Sequence, residues 1–94
     1  MTWAWDPWKA DANRAKHGVS FHLAALVFED PLALSVPDPH TDGNRWRTIG
    51  RPVADLPTLL LVVHTEADAD GTAGRIISAR RATAHERKAY EEGA

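Results

Sequence analysis

No cysteine occurs in the 94 residues, so the chain has neither a disulfide framework nor a thiolate metal site. Long hydrophobic runs are missing as well. Runs such as residues 59–63 are far too short to span a bilayer, and the opening residues lead into charge with no apolar segment of the secretory type. There is no excess of cations: the formal net charge is -2, which argues against a general nucleic-acid coat while leaving room for a local basic site. Glycine-rich phosphate loops, GxSxG elbows and paired histidines at HxxxH spacing are likewise absent. The calcium-like run at residues 66–71 fails because the twelfth position of such a loop is Ile77, which offers no carboxylate. His40 and Asp42 lie together in a loop and would need ligands from distant segments to hold zinc. The length predicts one domain over residues 1–94, and these absences are compatible with a reducing cytoplasm and lead to an expectation of no membrane span, metal or cofactor.

The chain itself begins with a short apolar segment at residues 2–5, expected as an edge strand. Asp6-Pro7 then starts a helix, because aspartate caps the first turn and proline lacks only a donor that would be unpaired there. Trp8, Ala12 and Ala15 recur at helical spacing and are expected to face the core, with Lys9, Asn13 and Lys16 on a second, polar face. Gly18 stops this helix with a left-handed cap, and Ser20 caps a second over residues 21–28. Trp46 is expected in the core, whereas Trp3 and Trp5 are open to a role at a partner surface.

Strands are expected at residues 32–36, 44–49, 58–65 and 75–81. In the second, Arg45, Arg47 and Ile49 share a face. The third is apolar on both sides and should lie inside the sheet, and the fourth places Ile76, Ser78 and Arg80 together. Thr83 and Glu86 form a capping box that starts the last helix. Strands in a continuous run joined by short turns predict an α+β fold with an antiparallel sheet of about four to five strands, two N-terminal helices, one C-terminal helix and one helix-covered face.

Two strands carrying arginines point to anion binding, since guanidinium forks match phosphate oxygens and would hold the extra charge of a pentavalent phosphorane. The same residues also fit a solvated strand end.

The blocks WDPWKADANRAKHGVSF and RIISARRATAHER, with Arg45-Trp46, Ile49-Gly50, Val63-His64-Thr65 and Tyr90 in order between and after them, resemble the BrnT toxin family along nearly the whole chain. The resemblance implies a small fold similar to that of RelE-type toxins and a metal-independent endoribonuclease that cleaves RNA to arrest growth. It further implies neutralisation by a BrnA-like, ribbon-helix-helix antitoxin in a hetero-oligomer, with operator DNA bound through that antitoxin. On this reading Arg45, Arg47, His64 and Arg80 are the catalytic candidates, and Lys16, Arg75, Arg81 and Tyr90 the RNA-binding ones. One departure stands out. Where the family pattern has an acidic residue before the middle-strand arginine, this chain has Asn44, which cannot act as a base. Either His64 or Glu86 takes that role or catalysis is mainly electrostatic and slow, and a catalytically weak or silent module that complexes a DNA-binding antitoxin is the alternative.

Overall fold

The computed structural model describes residues 3–39, 44–66 and 74–93. The elements run α1 (Pro7–His17), α2 (Phe21–Ala25), a 3-10 turn (Leu26–Glu29), β1 (Leu34–Pro37), β2 (Trp46–Gly50), β3 (Leu60–His64), β4 (Ile76–Arg81) and α3 (Ala84–Glu92). All four strands pair antiparallel in the order β1-β2-β3-β4. The His40–Asp42 pair and most of the 66–74 loop fall outside the described residues.

Each helix begins where its capping chemistry predicts. The Asp6 carboxylate accepts from the Trp8 N–H at 2.8 Å, Ser20 Oγ from the Leu23 N–H at 3.1 Å, and Thr83 and Glu86 complete a reciprocal capping box. Gly18 ends α1 at φ 72°, a conformation that costs a side-chain-bearing residue energy and glycine none. The second helix is shorter than expected and tightens into the 3-10 turn after Ala25.

The sheet has two unlike faces. Val19, Phe21, Ala24 and Val27 from the helical segments pack on Leu60, Val62, Ile76 and Ala79, forming the main core. On the other face Tyr90 of α3 packs with Ile49, Leu59 and Leu61, and partly buried Val63 and Ala82 border this smaller cluster. The C-terminal helix therefore lies opposite the N-terminal ones, not beside them as expected. The capping box at Thr83 turns the chain onto that face directly after β4.

The interior of α1 also differs from expectation. Trp8 is 84% exposed and Ala12 and Ala15 are exposed too, whereas Asn13 is buried at 7%. The reason is a strand edge. β4 is the last strand of the sheet, so the outward N–H and C=O of Ala79 need partners. Asn13 supplies both: its Oδ1 accepts from Ala79 N–H at 3.1 Å and its Nδ2 donates to the Ala79 carbonyl at 2.8 Å, with a further bond to the Val19 carbonyl at 3.1 Å. Farther back along β4, Ala4 accepts from Ile76 N–H at 2.9 Å and donates to the Gly74 carbonyl at 3.0 Å. Residues 3–5 thus contribute a single parallel bridge between Ala4 and Arg75 instead of a strand, and Thr2 lies outside the described residues. Trp3 and Trp5 pack against the core, Trp3 stacked on Phe28 at 3.8 Å, so neither is held out for a partner. Trp46 pairs across from His64 on the helix side of the sheet, away from the arginines.

One irregularity decides where the arginines point. Val63 pairs with Ser78 but His64 pairs with Ile76, so two steps along β4 match one step along β3 and Ile77 is the extra residue of a bulge. Simple alternation, which groups Ile76 with Ser78 and Arg80, breaks there. Ile76 and Ala79 both enter the helix-covered core, while Ser78 and Arg80 turn to the opposite face.

Candidate functional site

On the face partly covered by α3, the register aligns Arg47 with Val63 and Ser78, and in the next row Ile49 with Leu61 and Arg80. Arg47 and Arg80, from strands separated by β3, therefore share one face. The bulge is what sets this arrangement. Arg45 continues from β2, half-buried, its carbonyl accepting from Asp38 N–H at 2.9 Å.

Each of the two arginines has a carboxylate beside it. Asp38 Oδ1 lies 3.7 Å from Arg47 Nε. Glu86 meets Arg80 end-on, with Nη1 donating to Oε1 at 2.8 Å and Nη2 to Oε2 at 2.9 Å. The Arg80 guanidinium, helped by the capping bond from Thr83, holds the Glu86 carboxyl down at about 2, and Glu86 in turn raises the Arg80 pKa. Charge-assisted, two-point pairing of this kind is stronger than a neutral hydrogen bond and fixes the plane of the guanidinium.

His64 is not part of this cluster. Its position in β3 gives it the same parity as Leu60 and Val62, and it is buried on the helix side at 6% exposure, between Trp3 and Phe28. Nδ1 donates to the Thr65 carbonyl at 2.8 Å, so Nε2 accepts from Thr48 Oγ1 at 2.6 Å, and Thr48 in turn accepts from Ser35 Oγ at 2.7 Å. Burial lowers its pKa and keeps the ring neutral. It is a satisfied core histidine on the wrong side of the sheet to meet a phosphate at Arg80.

Tyr90 is likewise a packing residue. Its ring is 8% exposed against Ile49, Leu59 and Leu61, and its hydroxyl donates to Asp30 Oδ2 at 2.7 Å. Burial, then the bond to Asp30, raises its pKa. Asp30 also accepts from the Arg51 and Leu32 N–H groups. Burial pushes its carboxyl upward, but these bonds and Tyr90 outweigh it and leave the pKa below its usual value. Lys16 is exposed in the last turn of α1, and Arg75 and Arg81 are exposed at the two ends of β4. The structure does not gather these three with Arg47 and Arg80.

Asp38 is not among the expected site residues, although it lies two past Val36 and so on the same strand face. Glu86 is expected as the capping residue and, alternatively to His64, as a base; the six-residue step from strand end to first helical turn is also short enough to return it to Arg80. Asn44 has a structural use: its Oδ1 accepts from Glu66 N–H at 2.7 Å, joining the start of β2 to the end of β3. Among the described residues no group of histidines or carboxylates is placed to hold a metal ion, and no helix is long and apolar enough to cross a membrane.

These observations define a small α+β domain that carries two arginines, each beside a carboxylate, on the sheet face partly covered by α3. The same fold is found in the 1.1 Å crystal structure of the Brucella abortus ribonuclease toxin, BrnT, which is 24% identical and superposes with a TM-score of 0.66 over 88% of this chain and 99% of that one. Residues 5–86 match the family described as "Ribonuclease toxin, BrnT, of type II toxin-antitoxin system". No curated protein matches the sequence. The chain belongs to the BrnT family of ribonuclease toxins of type II toxin-antitoxin systems.

Proposed function

We propose that this chain is a metal-independent endoribonuclease whose reacting phosphate is held by Arg47 and Arg80. The observation that carries the reading is the bulge at Ile77, which brings Arg80 onto the face of Arg47 while leaving Ile76 in the core. In the reaction the ribose 2′-oxygen loses its proton and attacks phosphorus, and the bond to the 5′-oxygen breaks as that oxygen takes up a proton. The phosphorane between these steps carries more charge than the ground state, so two fixed guanidinium groups bind it better than substrate. A Glu86 carboxyl held at about 2 is a poor base at neutral pH, and His64 faces the other way. Proton transfers then pass to water, and the reaction is slow, in keeping with asparagine at position 44. Arg45, two residues before Arg47, guides the RNA backbone toward the pair. Lys16, Arg75 and Arg81, spread around the periphery, add sequence-independent attraction for the strand.

The family's type II assignment implies a protein antitoxin. We take it to be a BrnA-like ribbon-helix-helix protein that carries the operator contacts while this chain occupies the complex in the cytoplasm. A second reading, a silent module that only complexes the antitoxin, is favoured by the acidic neighbour of each arginine. Induction of the chain alone separates the two. RNA breakdown in cells, and cleavage of single-stranded RNA by purified protein in EDTA, support the ribonuclease; intact RNA with unimpaired growth supports the silent module.

A further inference from the structure

Arginine carries one N–H on Nε and two on each terminal nitrogen, in a planar array. At Arg80, Nη1 is fully used, donating to Glu86 Oε1 at 2.8 Å and to the Arg81 carbonyl at 3.2 Å. Nη2 gives one N–H to Glu86 Oε2 at 2.9 Å. That leaves the second Nη2–H and the Nε–H, which lie parallel along one edge of the guanidinium. This edge is itself a two-point fork of the kind that matches a phosphate.

The carboxylate that occupies the other edge is fixed from behind. Glu86 Oε1 also accepts from Thr83 N–H at 2.8 Å, and Thr83 Oγ1 accepts from Glu86 N–H at 3.2 Å. The cap therefore anchors the carboxylate, and the carboxylate anchors the guanidinium. The Glu86 side chain is 15% exposed and that of Arg80 35%, so the buffered end of the pair is Glu86 and the accessible end is Arg80. An unpaired arginine at this strand end would sample many rotamers, and a phosphate would have to order it first.

We propose that Glu86 is a positioning residue for RNA cleavage: through the capping box of α3 it holds Arg80 so that the Nε–Nη2 edge alone is presented to the phosphate. This rests on the reading of Arg47 and Arg80 as the phosphate site. It also gives the acidic neighbour of Arg80 a role in activity, where a silent module would use it only to neutralise the charge.

The test is Glu86→Gln. Glutamine retains the cap, because its carbonyl oxygen accepts from Thr83 N–H as glutamate does, but its amide nitrogen meets Arg80 donor to donor. Cleavage of a single-stranded RNA oligonucleotide should then fall about tenfold to a hundredfold in kcat with KM nearly unchanged, while helix content by circular dichroism stays at the wild-type level. The double variant Arg80→Ala/Glu86→Gln should be no slower than Arg80→Ala, since the two residues act as a unit. Wild-type or faster kcat in Glu86→Gln, or losses that multiply in the double variant, would overturn the proposal. A second measurement does not depend on cleavage. Titration with a 2′-deoxy trinucleotide should shift the Arg80 Nε–H resonance in the wild type and leave it unmoved in Glu86→Gln. If the wild type cuts no RNA yet this shift is seen and lost as stated, the ribonuclease reading and with it the role in cleavage fall, while the holding of Arg80 by Glu86 for a phosphate stands; if the resonance does not shift in the wild type, that holding falls as well.

Discussion

Replacing Asn13 by leucine, which keeps the branched shape without any polar atom, removes three hydrogen bonds in the most enclosed part of α1. The carbonyl of Val19 and both backbone groups of Ala79 lose their partners, and Ala79 is 1% exposed, so water cannot readily replace the amide. An orphaned buried N–H costs about 1–3 kcal/mol, with carbonyls at the lower end. The sum is about 4 kcal/mol, and added burial of the leucine side chain returns about 1 kcal/mol. A net loss of about 3 kcal/mol is a large share of what a domain of this size has, and should lower Tm by about 10–20 °C. Urea unfolding monitored by tryptophan fluorescence measures it as a fall in the midpoint of about 2 M. Asn13→Asp sharpens the test, because a carboxylate there keeps the bond from Ala79 N–H but faces two carbonyl oxygens. Burial and those oxygens raise its folded pKa above the unfolded value, so the variant should be weakest at neutral pH and recover as pH falls and the acid becomes a donor. A midpoint within about 0.3 M of wild type for Asn13→Leu would refute the edge-closing role.

Tyr90→Phe removes only the hydroxyl bonded to Asp30 and should cost about 1–2 kcal/mol by urea unfolding, with RNA cleavage unchanged per folded molecule. Acid should weaken the fold through Glu86. Its folded pKa of about 2 lies below the unfolded value of 4.5, so its contribution is complete above about pH 4.5 and disappears as pH falls toward 2. The full shift corresponds to at most about 3 kcal/mol, and screening at the partly exposed Arg80 reduces this to about 1 kcal/mol, which comparison of wild type and Glu86→Gln across that window resolves. Trp8→Ala should change stability by no more than about 0.5 kcal/mol, because the ring is 84% exposed.

Features governed by local chemistry could be read directly. Asp6-Pro7, Ser20, Thr83 with Glu86, and Gly18 mark helix ends through bonds within a turn of the residue itself, and all four hold. Features governed by a distant partner could not. Asn13 sits among alanines and lysines and reads as solvent-facing. Only the open edge of β4, 66 residues away, makes it core. Trp8 follows the cap and reads as an anchor, but the helix rotates to bring Asn13 inward and leaves the indole outside. The bulge is an intermediate case. The doublet Ile76-Ile77 breaks strict alternation, and that was its visible trace, but the register against His64 and Val63 is needed to see which isoleucine is extra. For the site, the residue types and the two arginine-bearing strands were legible. The phase that separates Arg80 from His64 and the carboxylates behind each arginine belong to tertiary structure.

Arg47 and Arg80 are proposed to stabilise together the transition state of RNA cleavage on one sheet face, and kcat/KM for a single-stranded RNA in EDTA decides it, measured with purified wild type, Arg47→Ala and Arg80→Ala, each shown to be folded by circular dichroism. A loss of about a hundredfold or more in both variants is expected. Wild-type kcat/KM in either folded variant would contradict the account.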